Sequence, residues 1–564
     1  MALRVLRLVR TLAAGVHRAR LRRRWRRTLA AQSTLGIYEH AHGPVLARTR
    51  TSPCSTRELA LQVVDLTTEL LQAHAVDYFV REVDHGRDYV VGVRAAERDR
   101  VYTALADTRP EDVLYAAAET LRGPADIPRP LAEQSSRRRL RHADAIRLCQ
   151  YVRSANGVRI GGPEHGCVLE FWHSGATVLE RSDGPSILDR LHVVVPEDRL
   201  AESILCTRPN PVSQIIPSEE QQPARITIGD RNYPTLCAFT HPVAHTVNFP
   251  IDLVYTWVDG SDPEWAARRD AYLRERGEAL HRIAASATRY ESRDELKYSL
   301  RSVEMFAPFV RTIHIVTDGQ VPDWLDTEHE RVHLVDHRDI FPSLDVLPVF
   351  SSRAIETRIH HIPGLSEHYI YLNDDMMFGR YVAPDTFFHA NGIGKSFLSQ
   401  GQIGLGEPTG ADHPPRAAAK NTRALLQAEF GPFITRTFKH APYPMRRSVA
   451  HELDERFPEA IARTTASRFR SPSDVTLTSS LYPNYALMTG RAVPGEISSA
   501  YINLAKPAAL RRRTDALLRG PRTFDSLCLN DTEPLPPRKR ARVDAQLQHF
   551  LEHYFPLASS MERS

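Results

Sequence analysis

Four short apolar runs between residues 250 and 375 limit most strongly how this chain can fold, because acidic residues follow each of them. The runs are IDLVYTW (251–257), RTIHIVTDG (311–319), RVHLVDH (331–337) and YIYLNDD (369–375). Near-continuous apolar runs are typical of strands buried on both faces of a parallel sheet. The sequence therefore predicts four buried strands in this region.

Helical patterns alternate with these runs. The segment ESRDELKYSLRSVEMFA (291–307) has an apolar stripe at helical spacing, and Ser292 and Glu295 have the spacing of a capping box at its start. A second helix is predicted over residues 352–362. Strands that alternate with helices predict an α/β fold with a doubly wound parallel sheet.

The acids after the four runs share one expected position in such a sheet. They are Asp259 and Asp262, Asp318, Asp336 and Asp339, and Asp374 and Asp375. Ligands of open α/β sheets bind at the carboxyl ends of the strands, although Asp and Asn also favour turns. Because the pattern recurs at four successive strands, we expect a site there.

The adjacent pair Asp374 and Asp375 indicates which ligand the site takes. Neighbouring carboxylates repel each other and are costly to desolvate. A hard divalent cation such as Mg²⁺ or Mn²⁺ neutralises them and also binds phosphate oxygens. The pair therefore favours a cation site that serves a nucleotide or a sugar nucleotide.

The N-terminal part differs in character. Residues 1–40 are predicted to form a basic amphipathic arm, with ten arginines and no acid before Glu39. Such an arm can contact an anionic membrane surface, but it is also compatible with a solvated segment or a transit-like leader.

Residues 41–249 are predicted to be an accessory region that is α/β and then β-rich. Ser55 and Glu58 have the spacing of a capping box, and His85 and Gly86 are the predicted turn of a hairpin. We find no catalytic constellation in this part of the sequence.

Several simpler interpretations are excluded. The net charge is only +5, so a nucleic-acid partner is not expected. The six cysteines contain no CxxC pair, which argues against a zinc ribbon, and no apolar run reaches the roughly 18 residues of a membrane-spanning helix. NGIGKS (391–396) resembles a phosphate-binding loop, but His389 replaces the glycine that this loop needs.

Two further patterns receive ordinary interpretations. His360 and His361 are adjacent on the predicted second helix, where their side chains would diverge, so we expect no metal site there. Residues 536–564 begin with basic residues and are predicted to form a C-terminal amphipathic helix and tail.

Residues 438–475 add a candidate base and cations. His440 lies among basic residues, and Arg468, Arg470 and Asp474 follow in SRFRSPSD. Histidine is the usual general base near neutral pH, and arginine is the usual clamp for phosphate oxygens.

Six stretches together resemble, in order, the four conserved regions of the Stealth family. They are IDLVYTWVDGSDPEW, RYESRDELKYSLRSVEMFAPFVRTIHIVTDGQVPDWL, FSSRAIETRIHHIPGLSEHYIYLNDDMMFG, KHAPYPMRRS, SRFRSPSD and CLND (528–531). The family includes bacterial capsule and exopolysaccharide phosphotransferases, and the animal enzyme that adds N-acetylglucosamine-1-phosphate to lysosomal glycoproteins is similar. The resemblance covers roughly 250–535 and implies a Rossmann-like (GT-A-like) sheet with a helical insert.

The resemblance implies that the chain transfers a sugar-1-phosphate. A nucleotide sugar, expected to be UDP-linked, would give hexose-1-phosphate to a glycan hydroxyl, and UMP would leave. Attack at the β-phosphorus is phosphoryl transfer, which depends on positioning and charge stabilisation. A divalent cation and arginines are what its transition state needs.

The resemblance also implies roles for individual residues. Trp257, Asp259 and Asp262 match a region of the nucleotide pocket, in which the family motif has either Asp or Asn at the position of Asp259. Lys297 and Arg301 match a basic helix suited to phosphates, with Lys where Arg is common, and surface charge is the alternative. Asp374 and Asp375 match ligands of a metal ion or of the diphosphate. Asn530 and Asp531 match residues that complete the metal site, and the alternative is that they only form a turn. His440 matches the general base and Arg470 the transition-state cation. We add Asp318 to the donor-binding residues.

Two other functions stay open at this stage. A metal-dependent glycosyltransferase would use the same donor but release UDP. A non-catalytic subunit would bind the sugar nucleotide and associate with the membrane through the basic arm. We expect a cytoplasmic protein, either free or peripheral on the inner face of the plasma membrane.

Overall fold

The computed structural model describes Trp25 and residues 28–563, apart from 41–42, 84–85, 87, 207, 277–289, 410 and 532–534. The chain divides into two units, Met1–Ala244 and His245–Ser564, close to the predicted boundary at 249–250. Within the described ranges, no helix is both long enough and apolar enough to cross a membrane.

Most of the predicted arm lies outside the described residues, and so does its predicted membrane contact. Its last six residues do not belong to an arm. Leu35–His40 form a strand that pairs antiparallel with Gly43–Arg50, and Leu35 is buried. The predicted end of the arm at residue 40 is therefore wrong, because an apolar side chain and strand pairing hold this segment in the first unit.

The first unit contains fifteen described strands and six described α-helices. Its strands are β1 (Leu35–His40), β2 (Gly43–Arg50), β3 (Tyr78–Val83), β4 (Asp88–Arg94), β5 (Leu114–Thr120), β6 (Gly123–Pro124), β7 (Arg129–Pro130), β8 (Ala145–Gln150), β9 (Val152–Ser154), β10 (Arg159–Gly161), β11 (Gly166–Ser174), β12 (Ile204–Leu205), β13 (Ile215–Ile216), β14 (Pro223–Ile228) and β15 (Arg231–Leu236). Its helices are α1 (Thr56–Ala73), α2 (Arg98–Ala106), α3 (Gln134–Leu140), α4 (Gly175–Glu180), α5 (Gly184–Leu188) and α6 (Glu197–Ala201).

Two predicted features of the first unit are confirmed. Ser55 Oγ accepts a hydrogen bond from Glu58 N (3.1 Å), and Glu58 Oε2 accepts one from Ser55 N (2.8 Å), so α1 begins with the capping box. Strands β3 and β4 pair antiparallel as the predicted hairpin. Helix α1 then packs on a sheet in which β4, β11, β8 and β5 are neighbours.

The second unit holds the predicted α/β region. Its strands are β16 (Ile251–Thr256), β17 (Val310–Thr317), β18 (Val332–Asp336), β19 (His368–Asn373), β20 (Met376–Phe378), β21 (Gly394–Ser396), β22 (Leu398–Gln402), β23 (Arg436–Phe438), β24 (Tyr443–Arg446), β25 (Ala492–Pro494), β26 (Ser499–Asn503) and β27 (Ser526–Asn530). Its helices are α7 (Pro263–Arg276), α8 (Glu295–Phe306), α9 (His337–Ile340), α10 (Ser352–Glu356), α11 (Pro414–Phe430), α12 (Arg447–Arg456), α13 (Pro458–Thr465), α14 (Tyr482–Met488), α15 (Pro507–Arg519) and α16 (Pro537–Tyr554).

The central sheet of this unit has the order β18-β17-β16-β19-β24. Strands β16 to β19 are parallel, which confirms all four predicted strands, and β24 is antiparallel at the edge. The chain order of these strands reverses direction between β16 and β19. In doubly wound sheets this switch point is where ligands bind.

A small second sheet brings distant parts of the chain together. Its order is β20-β27-β26, with Met376 opposite Cys528 and Asn503 beside Asn530. Helix α8 lies against β20, and the Ser299 hydroxyl donates to the Met376 carbonyl. This sheet places the CLND stretch at the end of β19.

Two predicted boundaries differ from the structure. The predicted helix over 352–362 ends at Glu356, and a single 3₁₀ turn, Ile359–His361, follows. The predicted C-terminal segment 536–564 does not stand apart, because α16 buries its apolar stripe against the second unit and Tyr554 donates to the Gly379 carbonyl (2.9 Å).

Candidate active site

The carboxyl ends of β16 and β19 meet at the switch point of the central sheet. Thr256 and Asn373 are in register, and the Thr256 hydroxyl lies 2.9 Å from the Tyr371 hydroxyl. Asp374 and Asp375 occupy the turn directly after Asn373, before β20 begins at Met376. The acidic pair therefore lies where an open α/β sheet binds its ligand.

Asp375 is held by the other end of the chain. Its Oδ2 accepts hydrogen bonds from Asn530 Nδ2 (3.0 Å) and Cys528 Sγ (3.5 Å), and its backbone carbonyl accepts one from Leu529 N (3.1 Å). Its Oδ1 is buried and has no hydrogen-bond partner among the described residues. One carboxylate oxygen is thus fixed while the other keeps its lone pairs.

Three acidic side chains share this buried region. Burial raises the pKa of Asp374 well above its usual range, and the charges of Asp375 and Glu295 raise it further. Burial also raises the pKa of Glu295 to about 7, despite a hydrogen bond from Arg293 N. Negative charge is therefore unfavourable here without a compensating cation.

His440 lies beside the acidic pair. Its Nε2 is 3.4 Å from the Asn373 side-chain nitrogen, and its Nδ1 is 3.2 Å from the Tyr443 hydroxyl. Donor atoms of His440, Asp375 and Cys528 all lie within 4.8 Å of one another. Burial lowers the pKa of His440, the charge of Asp375 partly opposes this, and the charge of Arg470 lowers the pKa further, which favours the neutral imidazole that can accept a proton.

Arg470 is set in a buried group of charges. Its Nη2 donates to Ser352 Oγ (3.0 Å), and Glu356 is the acid that most strongly opposes the effect of burial on the pKa of Arg470. Glu356 is itself buried and accepts a hydrogen bond from the Thr478 hydroxyl (2.6 Å). Arg470 is therefore a positioned cation close enough to influence His440 electrostatically.

Asp531 joins this group through an arginine. Arg293 Nη2 is 2.8 Å from Asp531 Oδ2, and its Nη1 is 3.7 Å from Glu295 Oε1. Asp531 Oδ1 is buried without a hydrogen-bond partner among the described residues. Arg293 thus links the end of the CLND stretch to the start of α8.

The loop after β16 uses its acids for its own structure. Asp259 Oδ1 accepts hydrogen bonds from the nitrogen (2.8 Å) and hydroxyl (2.6 Å) of Ser261. Asp262 Oδ1 caps α7 at Glu264 N (2.9 Å), and Gln320 Nε2 donates to Asp262 Oδ2 (2.9 Å). Trp257, at 9% exposure, is almost fully buried where the loop begins.

The other predicted residues lie apart from the acidic group. Asp318 is 2.7 Å from Arg268 Nη2. Arg301 makes two bonds of 2.7 Å to the Glu562 carboxylate, and Lys297 Nζ lies 3.6 Å from the same group. The structure places His440 beside Asp375 and within the electrostatic influence of Arg470, and it places Asp531 in an ion pair with Arg293 near Glu295. Lys297 and Arg301 pair with Glu562 in the C-terminal tail.

Asp336 and Asp339 have the local structural role that acids in turns often have, since they form the capping box at the start of α9.

Glu295 is the main residue of this region that was not predicted from the sequence. Its predicted capping box with Ser292 is wrong, because Asp294, in a left-handed conformation (φ 62°), begins α8 without a side-chain cap. The sequence signal for its role was a glutamate on the apolar side of a predicted helix, where a charged side chain is unusual.

Family models for three Stealth regions match the chain. They are conserved region 1 at residues 249–277, conserved region 2 at 289–396 and conserved region 3 at 439–487. These ranges contain the loop after β16, the acidic pair and His440. The resemblance seen in the sequence is thereby confirmed for these regions.

Curated relatives match far beyond these regions. Exopolysaccharide phosphotransferase SCO6023 of Streptomyces coelicolor is 39% identical, over 98% of this chain and 91% of the relative. Exopolysaccharide phosphotransferase CpsY of Mycobacterium tuberculosis is 38% identical, over 74% of this chain and 73% of the relative. Among solved structures, galactosyltransferase LgtC covers 54% of this chain and 96% of its own at 12% identity, with a TM-score of 0.29, which is too low to establish a shared fold. By its relatives and its three matched regions, the chain belongs to the Stealth protein family.

Proposed function

We propose that this Stealth-family transferase moves a hexose-1-phosphate group from a nucleotide sugar, expected to be UDP-linked, to a glycan hydroxyl in exopolysaccharide synthesis. The acceptor oxygen forms a bond to the β-phosphorus, the bond from that phosphorus to the bridging oxygen breaks, and UMP leaves. One observation carries the proposal. A half-buried acidic pair at the switch point lies beside a histidine whose pKa is lowered by burial, in a chain related to exopolysaccharide phosphotransferases.

His440 is the proposed general base. If the Asn373 amide donates to Nε2, that nitrogen is the unprotonated one, and Nδ1–H donates to the Tyr443 hydroxyl. The lowered pKa keeps the ring ready to take the proton of the acceptor hydroxyl.

The acidic group fits a hard divalent cation. Two buried carboxylate oxygens, Asp375 Oδ1 and Asp531 Oδ1, have no hydrogen-bond partner among the described residues, and burial and then the charges of Asp375 and Glu295 raise the pKa of Asp374. Asp374, Asp375 and Asp531 would hold Mg²⁺ or Mn²⁺ through oxygen ligands. When bound, the ion supplies positive charge for the diphosphate. Asn530 keeps Asp375 oriented, and Arg293 keeps Asp531 near Glu295.

Arg470 is the proposed transition-state cation, and the Ser352 bond and Glu356 hold it in place. The loops that carry Trp257, Asp259, Asp262 and Asp318 follow β16 and β17 and are proposed to bind the nucleotide. Lys297 and Arg301 are left out of this donor site, because both form ion pairs with Glu562.

The test is phosphorus NMR of the purified full chain with UDP-N-acetylglucosamine, Mg²⁺ and a glycan acceptor. We expect UMP and a new phosphodiester signal, both lost in His440→Ala and retained in the control His241→Ala, whose side chain is 57% exposed in the first unit. UDP as product would instead establish glycosyl transfer. Nucleotide binding without turnover for every nucleotide sugar tried would favour a binding subunit.

A further inference from the structure

A second group of metal-binding side chains lies in the second unit, outside the acidic site. His360 and His361 are on the 3₁₀ turn Ile359–His361, and His451 and Asp454 are on α12. One donor atom from each of the four residues lies within 4.8 Å of the other three. The turn precedes β19, whereas Asp374 and Asp375 follow it, so the two groups belong to opposite ends of this strand.

The local backbone explains why the two adjacent histidines converge. The sequence predicts that they diverge on an α-helix, and this prediction is wrong because α10 ends at Glu356. On the 3₁₀ turn, Nε2 of His360 and of His361 lie 2.9 and 2.8 Å from Asp454 Oδ2. His451 is one helical turn before Asp454, so these two share a face of α12.

The three imidazole rings form a tight group around the carboxylate. The ring centroids of His360 and His361 are 4.3 Å apart, and that of His451 is 4.7 and 4.8 Å from theirs. One donor atom of each ring lies within 4.8 Å of the others, so a single ion could contact all three rings.

The group also has unmet hydrogen-bonding capacity. His360 is 1% exposed, and its Nδ1 and the buried Asp454 Oδ1 have no hydrogen-bond partner among the described residues. Leaving such atoms buried and unpaired destabilises the folded state. An ion that engages this group would remove part of that destabilisation.

The arginine that pairs with Asp454 has to be accommodated. Arg358 Nη1 lies 3.3 Å from Asp454 Oδ2. A carboxylate offers about four lone-pair sites on its two oxygens, so it can keep the arginine on one side and bind an ion on the other. Arg358 then orients the Asp454 side chain as a supporting partner of the site.

We propose that His360, His361, His451 and Asp454 bind a transition-metal ion of the class that prefers imidazole, with Zn²⁺ as the expected ion. Three histidines and one carboxylate make a four-ligand set suited to tetrahedral Zn²⁺. Bonds of about 2.0–2.1 Å place tetrahedral ligand atoms roughly 3.4 Å apart. On binding, the widest pairs must therefore close, and the two Nε2–Asp454 Oδ2 pairs at 2.9 and 2.8 Å must open and give up their hydrogen bonds.

The site has a structural consequence for the proposed catalytic base. It ties α12, which directly follows β24 and its Tyr443, to the segment that leads into β19. Tyr443 contacts His440, and β19 ends beside the acidic pair. Zn²⁺ would therefore stabilise the scaffold on both sides of the acidic site without belonging to it.

The test uses tag-free full-length protein, stripped of metal with a chelator and titrated with Zn²⁺ and, separately, Co²⁺. We expect one ion at this group, a higher unfolding temperature with Zn²⁺, and the visible absorption of tetrahedral Co²⁺. His451→Gln and Asp454→Asn should each weaken binding at least about tenfold, a size typical when a metal site loses support. In each variant the metal-free unfolding temperature separates lost binding from lost folding.

Two other groups of donor atoms require matched controls. They are Glu220, Cys237 and His241 in the first unit, and Asp375, His440 and Cys528 in the acidic site. His241→Ala and Asp375→Asn should leave the tetrahedral Co²⁺ spectrum and the Zn²⁺-dependent rise in unfolding temperature unchanged. The proposal is overturned if folded wild-type protein shows neither signal, or if either control removes them while His451→Gln keeps them.

Discussion

Asn530 donates a hydrogen bond of 3.0 Å to Asp375 Oδ2, across 155 positions of the chain. This bond fixes one oxygen of a buried carboxylate whose other oxygen has no partner among the described residues. Asn530→Ala should therefore lower kcat by about tenfold and raise the Mg²⁺ concentration needed for half-maximal rate. Initial rates across a Mg²⁺ series test this. An unchanged Mg²⁺ dependence would show that Asn530 does not position Asp375.

The lowered pKa of His440 predicts the pH at which the reaction rate falls in acid. Because its folded-state pKa lies below the ordinary 6.5, the midpoint at which the neutral base is lost also lies below pH 6.5. We expect the acidic limb of kcat/KM to be centred below pH 6.5. The same shift makes stability decrease as pH falls below 6.5, since the unfolded chain then binds more protons. An acidic limb of kcat/KM centred above pH 6.5 would contradict this assignment.

The raised pKa of Glu295 predicts a pH dependence of stability opposite to that of His440. Its pKa rises from 4.5 to about 7 on folding, so the folded state binds the extra proton and this group makes stability fall as pH rises from 4.5 to 7. Glu295→Gln should gain up to about 3 kcal/mol of unfolding free energy at pH 8 in metal-free buffer, and little near pH 4.5.

Chemical denaturation of Glu295→Gln at both pH values makes the comparison. The exposed Glu264, changed to Gln, is the control and should match wild type at both. A Glu295→Gln gain that is equal at pH 4.5 and pH 8 would mean that the carboxylate is not the source.

Arg470 should matter in the transition state more than in donor binding. Arg470→Lys keeps the charge but loses the planar donor geometry, so kcat should fall by about 10²-fold with a much smaller change in KM. Steady-state kinetics test this, with the exposed Arg463→Lys as the control. A rise in KM alone would place Arg470 in ground-state donor binding instead.

A substitution of Glu562 distinguishes two roles for Lys297 and Arg301 on α8, namely ion pairing with the C-terminal tail and binding of phosphate. Its carboxylate is 8% exposed and makes two bonds of 2.7 Å to Arg301. Glu562→Gln should lower the unfolding free energy by roughly 2–4 kcal/mol at pH 7, because Arg301 is left partly buried without its partner. The donor KM of this variant should stay unchanged. A large change in donor KM with wild-type stability would return Lys297 and Arg301 to the phosphate site.

The sequence predicted the central sheet well because the signal is local. Each strand of the parallel set is a short apolar run, and Asp374 and Asp375 stand directly at the end of one of them. The same pattern misled at Asp336, which caps α9, because a carboxylate that caps a helix looks the same in sequence as one that binds a ligand.

The features that were not predicted depend on contacts between residues that are far apart in the sequence or on where a helix ends. Nothing local to Glu295 shows that Asp375 lies near it, and nothing local to Cys528 predicts its place opposite Met376. His360 and His361 were misjudged because the helix was expected to continue past Glu356. A break of one turn there redirects both rings toward Asp454.

The pairing of β27 with β20 also has a consequence for synthesis of the protein. A ribosome makes Asp374, Asp375 and His440 well before it makes Ser526–Asn530, the strand that supplies the partners of Asp375. The segments of the central sheet are therefore synthesised before the groups that orient Asp375. A product terminated before Ser526 would contain the acidic pair and the proposed base but lack the hydrogen bonds that fix Asp375.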